Sequence, residues 1–174
     1  MEHAAYLVDV LDKQGRVVGH KPRRAINKAR DIHHTIFTIL ITPQGELVLS
    51  VIPPREDLPN LYARQIGATV ATIRRTDETS LQAAHRGLSR ELFIDAGEVQ
   101  FLGRRMMHLP DGAQMLASTY YLVADPPGTF SLLDIDTLVV ITPSQIRDML
   151  LNHPRELAPT FRELWAAYHH KLPI

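Results

Sequence analysis

The residues whose types and spacing could do chemistry in this chain fall within one stretch, ETSLQAAHRGLSRELFI, from Glu78 to Ile94. It carries two carboxylates, Glu78 and Glu91, and two guanidinium groups, Arg86 and Arg90. Leu81, Ala84, Leu88 and Leu92 recur there with helical spacing, which predicts a helix over Asp77–Phe93 with Thr76 or Asp77 as N-cap. Gly87 lies inside it at a cost of about 1 kcal/mol against alanine. Residues three and four apart share a helix face. Carboxylates set out that way can hold a hard cation through oxygen ligands. An arginine in the same place can instead hold a phosphate by paired hydrogen bonds. The plainer alternative makes Glu78 and Glu91 solvated helix carboxylates, with Glu78 at the positive end of the dipole. Arg90 is then a surface salt-bridge residue.

Other chemistries find less support. With no cysteine in the chain, disulfides, thiolate nucleophiles and cysteine zinc sites are excluded. His33 and His34 are neighbours at the start of a strand pattern, and successive strand residues face opposite ways. They are expected as turn or surface histidines rather than joint metal ligands. His169 and His170 read as a solvated helix end. None of Ser50, Ser80, Ser89, Ser118, Ser131 and Ser144 has the strand-to-helix context of a nucleophile elbow. Phe161, Trp165 and Tyr168 share one helix face and read as core.

The elements that must position these groups are strands on either side of the helix. Tyr6–Leu11 and Arg16–Gly19 flank a turn at Asp12–Gly15. Lys21–Arg30, KPRRAINKAR, carries five basic residues and no acid. It reads as a solvated loop or short helix, or as an anion-attracting rim. His34–Ile41 is the strongest strand, and Leu47–Ile52 returns after a Pro/Gly turn at Thr42–Glu46. Pro53–Asn60 must be a loop, and Gln65–Ile73 is a further strand. Val99–Arg104, Leu116–Ala124 and Thr137–Ile141 follow, with turns at 110–112 and Asp125–Gly128. Helices close the chain at about Pro143–Leu151, capped by Thr142 with proline in the first turn, and at about Pro159–His169. The order gives an α+β fold with a mixed sheet.

The chain has 174 residues, with nineteen basic and nineteen acidic side chains and a formal net charge of zero. That length suits one domain over residues 1–174. Zero net charge argues against a general nucleic-acid binder, though a local basic patch remains open. No apolar run approaches the length of a membrane span. The N-terminal segment lacks the pattern of a signal peptide. A cytoplasmic domain is the expectation.

The stretch Glu78–Ile94 resembles a Nudix box. That pattern runs Gly, five residues, Glu, seven residues, Arg-Glu-apolar, any, Glu-Glu, any, Gly-apolar. Glu78 and Arg86 keep its spacing, and Leu88 and Ile94 its apolar positions. A second register places Arg90-Glu91-Leu92 on the Arg-Glu-apolar slot and Gly97 on the last glycine, but it puts Gln82 where Glu belongs. DVLDKQGRVVGHKPR, HHTIFTILITPQGELVLS and HPRELAPTFRELWAAY are similar to Nudix proteins of the isopentenyl diphosphate isomerase type. The resemblance spans about residues 5–170 and implies the Nudix α/β/α sandwich.

It also implies what has been lost. The three carboxylates that bind magnesium or manganese in active members correspond to Gly87, Arg90 and Glu91. An arginine has no acceptor to offer a cation. Thr72 stands for the first glycine of the box and Phe93 for the last. Val51-Ile52 replace a usual arginine pair, and Arg55 is the next base. The isomerase's catalytic cysteine falls on Gly67, so isomerase activity is not expected. Arg86 is expected to brace the box by pairing with a carboxylate. Three readings follow. The first is a non-catalytic or atypical Nudix-fold protein that binds a diphosphate-containing small molecule through Arg90, Arg86 and Arg55. The second is an active Mg²⁺-dependent hydrolase of a nucleoside-diphosphate-linked or related pyrophosphate. It would use Glu78 and Glu91 as catalytic groups, with Glu91 on the metal, helped by Asp77 or Asp136. The third is an interaction module, for instance a homodimer, that uses the fold alone.

Overall fold

The computed structural model describes residues 6–54, 62–95 and 97–174. Arg55, one of the expected ligand-binding residues, and most of the expected Pro53–Asn60 loop lie outside the described residues. The sheet is organised around β3 (His33–Ile41), all nine residues of which are buried. An unbroken apolar and β-branched run suits a strand covered on both faces. β8 (Gln114–Val123) pairs with it in parallel along its whole length, from His33↔Met115 to Ile41↔Val123. β7 (Gln100–His108) adds antiparallel to β8, with a bulge between Phe101 and Gly103. On the other side β3 is shared. β6 (Val70–Ile73) pairs with residues 35–38, and β4 (Leu47–Val51) with Leu40 and Ile41. β9 (Thr137–Ile141) pairs with β4 from the far side.

The run Gln65–Ile73 is therefore two strands rather than one. β5 (Ile66–Gly67) belongs to β4, and β6 to β3. Thr69 bridges the switch between them. Its hydroxyl accepts from Leu40 N–H at 2.7 Å and donates to the Val48 carbonyl, so a side chain replaces the missing ladder bonds. Ser50 Oγ donates to the Ala68 carbonyl at 2.6 Å and closes the remaining gap. Buried backbone groups need such partners.

Alternation along β3 and β4 sends side chains to two cores. Phe37, Ile39, Ile41, Leu47 and Leu49 pack under α2 (Pro143–Asn152) and α3 (Pro159–Tyr168), with Phe161, Leu164, Trp165 and Tyr168 as expected in the core. On the opposite face Ile36, Leu40, Val48 and Val70 meet Ala83, Ala84, Leu88 and Leu92 of α1 (Ser80–Leu92). The result is the expected α+β fold, a single α/β/α sandwich around a mixed sheet. Thr142 caps α2 in a capping box, as its position suggests. α1 begins later than its apolar spacing indicates. Thr79, not Thr76 or Asp77, is the N-cap, because Gln82 three residues on completes a capping box with it.

β1 (Leu7–Leu11) and β2 (Val17–Pro22) form a separate two-stranded sheet, and a 3₁₀ turn at Arg23–Ala25 follows. The hairpin is held to the body by a bridge from Leu11 to Ile32 and by Arg74, which donates to Asp9. Among the described residues no helix is long and apolar enough to cross a membrane.

Candidate functional site on helix α1

Arg86 pairs with a carboxylate, as the resemblance implies, and that carboxylate is Glu78. The Arg86 Nε and Nη2 groups grip both oxygens of Glu78, with Nη2 at 2.9 Å from Oε2. Nη2 also reaches the Ile73 carbonyl at 2.9 Å, and Nη1 the Thr72 hydroxyl at 3.2 Å. The Arg75 N–H donates to Glu78 at 3.0 Å. Burial acts to raise the Glu78 pKa, but Arg86 and the Arg75 N–H together hold it below the usual carboxylate value. Glu78 is thus a brace and not a solvated helix carboxylate. It ties the N-terminal end of α1 to the end of β6. Most of the Arg86 hydrogen-bonding capacity is spent inside the protein.

The next three positions lie on the face of α1 that meets β6. Ala83, Ala84 and Gly87 are small and buried, and they let the helix approach the sheet. A Cβ at Gly87 would stand 2.8 Å from Val70 Cγ1 and 3.1 Å from Thr72 Cγ2. Glycine is there because the sheet leaves no room for a side chain. One turn on, Glu91 is only 4% exposed, which also removes it from the solvated class. Its carboxylate accepts from Arg90 Nη2 and from the Ala71 backbone N–H. Burial pushes its pKa up to about 8; Arg90 offsets part of this, and Asp134 adds to it.

Asp134 is the member of this cluster that the sequence does not disclose. It lies in the connection from β8 to β9, with no motif around it. Its Oδ1 stands 3.6 Å from Arg90 Nη2, and its Oδ2 accepts from Ser131 Oγ at 2.8 Å. The Ser131 N–H donates to the Glu91 carbonyl at 2.7 Å. One guanidinium therefore stands between two carboxylates and ties the end of α1 to this connection. Arg90 is more than a surface salt-bridge residue, since its side chain is 28% exposed and bridges two elements. Asp136 donates its N–H to the Val51 carbonyl, and Asp77 is exposed before α1.

This donor set does not fit a divalent cation. One position has no room for a ligand, one presents a cation, and the remaining carboxylate is engaged by that cation. Among the described residues no three His, Asp or Glu side chains converge as ligands. The expectation of turn or surface histidines is corrected. His33 and His34 are 1% and 4% exposed, because β3 is covered on both faces. Burial drives their pKa values down to about 4 and about 3. His34 Nε2 pairs with Ser118 Oγ at 2.8 Å, a structural contact across β3 and β8.

No family model matches the chain, and no curated protein matches it. Solved structures do. The Deinococcus radiodurans protein DR0079, a hypothetical Nudix protein, superimposes with a TM-score of 0.74 at 19% identity, covering 93% of this chain and 99% of that one. A NUDIX hydrolase from Nitrosomonas europaea gives a TM-score of 0.60 at 16% identity, over 81% and 90% of the two chains. The NUDIX domain of Shewanella oneidensis NrtR, solved with ADP ribose, gives 0.61 at 12% identity, over 92% and 99%. The chain has the Nudix fold.

Proposed function

We propose that this Nudix-fold chain is an atypical, non-catalytic binder of a diphosphate-containing small molecule, with its metal-dependent hydrolysis lost. The observation that carries the reading is Arg90. Its guanidinium occupies the ground between Glu91 and Asp134, where a hydrolase of this fold would need acceptor oxygens for Mg²⁺. A planar guanidinium suits phosphate oxygens and keeps its charge at any working pH. ADP ribose, bound by the structurally similar Shewanella domain, is a diphosphate-containing small molecule of the kind this reading calls for. Arg90 is the main contact in this reading. Arg86 sets the helix that presents it, and Arg55 lies on the segment that follows β4. A cytoplasmic location goes with such a ligand. The hydrolase alternative would have to build a site from Glu78, which is held by Arg86, and Glu91, which is held by Arg90.

Thermal shift and calorimetry with ADP ribose test the reading. ADP ribose should raise the melting temperature in the presence of a metal chelator, and Arg90→Ala should abolish the rise. A rise that appears only with Mg²⁺, or that survives in Arg90→Ala, would overturn it.

A further inference from the structure

The zero net charge of the chain hides a strong segregation. Seven of the nineteen basic side chains but only two of the nineteen acids lie in residues 12–31, so this stretch carries +5 and the rest of the chain −5. Both acids are neutralised internally. Asp12 pairs with Arg16 at 2.7 Å, and Asp31, 7% exposed, pairs with Lys21 at 2.7 Å. Asp31 also accepts from the Asn27 N–H at 2.8 Å, and its own N–H returns to the Asn27 carbonyl at 2.7 Å. Ala29 N–H donates to Asn27 Oδ1 at 3.0 Å, and Arg23 N–H to the Tyr6 carbonyl at 3.0 Å. The loop is therefore a built turn rather than a loose tail, with its one acid facing inward. Arg24, Lys28 and Arg30 are exposed and Arg23 is half-buried. Arg23, Arg24 and Arg30 form no ion pair among the described residues. Arg75 lies over the Tyr6 ring, 4.7 Å from its centroid, and is itself paired with Glu78 at 4.0 Å.

We propose that the Arg23–Arg30 loop is an interaction surface for the phosphodiester backbone of duplex nucleic acid, read without regard to sequence. Guanidinium groups on a fixed turn suit a regular row of phosphates. The loop has no exposed aromatic side chain on which an unpaired base could stack, which favours a duplex over a single strand. An anionic bilayer fits less well. Of the exposed apolar residues of the hairpin, Val17 and Val18 are small and lie at the end of β2 away from the arginines, and Leu7, opposite Pro22, is the one large side chain at their end. A single leucine is not the broad apolar face by which interfacial segments insert. The surface is separate from the Arg90 cluster and does not rest on the ligand reading above.

Fluorescence anisotropy of a labelled 20-base-pair duplex with the full chain tests this. Three phosphate contacts give a slope of log affinity on log salt of about −2.7. Binding should therefore weaken roughly forty-fold between about 50 and about 200 mM salt. Charge reversal at Arg23, Arg24 and Arg30 should remove it, and the milder Arg→Gln triple variant should weaken it while melting like the wild type. Reversal of two exposed arginines elsewhere, Arg147 and Arg155, should leave it unchanged. The proposal is overturned by no binding at about 50 mM salt, or by equal loss in the Arg147/Arg155 variant. It is also overturned by binding to phosphatidylserine vesicles without binding to the duplex.

Discussion

Gly87 is the residue at which packing and chemistry meet. In the Nudix pattern its place belongs to a carboxylate, yet here even a Cβ would press on Val70 and Thr72. Restoring the pattern with Gly87→Glu should therefore not restore a metal site. It should destabilise the fold by about 1–3 kcal/mol through overpacking, a cost that better helix propensity offsets only in part. Denaturant unfolding measures the cost, and calorimetry with Mg²⁺ checks the missing site. His34 carries a different consequence. Its pKa is about 3 in the fold and near 6.5 when unfolded. Between those values the unfolded chain binds the extra proton, so stability falls as pH falls below about 6.5. His34→Gln should flatten the pH dependence of unfolding free energy by about 1.4 kcal/mol per pH unit in that window. Unchanged slopes would show that the imidazole is not kept neutral. The Nudix resemblance made Arg86 legible as the partner of a carboxylate, but local spacing did not show that the carboxylate is Glu78, which precedes α1. Spacing misplaced His33 and His34, since nothing local shows that β3 is covered on both faces. It could not find Asp134, whose contact with Arg90 depends on where a distant connection comes to rest.

Helix α1 ends against its own preferences. Phe93 takes the left-handed conformation at its C-cap, with φ of 55°, at the position where the Nudix pattern has glycine. The geometry of the ending is kept while the residue that would adopt it without strain is gone. Phe93 is 62% exposed, so its ring contributes little burial to set against that cost. Phe93→Gly should stabilise the protein by about 0.5–1 kcal/mol, after the greater freedom of glycine in the unfolded chain is allowed for. Chemical unfolding measures this, and a loss of stability would mean that the ring has a packing role. The strands show where local sequence reading stops. The β-prone run Gln65–Ile73 is continuous in composition, but it changes partner at Ala68–Thr69. Only the tertiary contacts of Thr69 with Leu40 and Val48 reveal the break. The N-cap at Thr142 was readable because it is local and followed by proline, whereas three candidate caps shortly before α1 left Thr79 undistinguished from Thr76 and Asp77.

At the scale of the whole molecule, the Nudix sandwich holds α1 against β6 closely enough to exclude side chains at Gly87. The connection from β8 to β9 brings Asp134 to the other side of Arg90. The framework expected to present carboxylates to a metal presents an internal cation instead. In the function proposed above, this cation replaces metal chemistry with direct anion binding. Isothermal titration of the full chain with Mg²⁺ in the millimolar range, followed by ADP ribose in the same cell, tests it most directly. The expected result is no Mg²⁺ binding, and an ADP ribose affinity that is the same with or without the metal and absent in Arg90→Ala. Saturable Mg²⁺ binding that disappears in Glu91→Gln, accompanied by cleavage of ADP ribose, would contradict it.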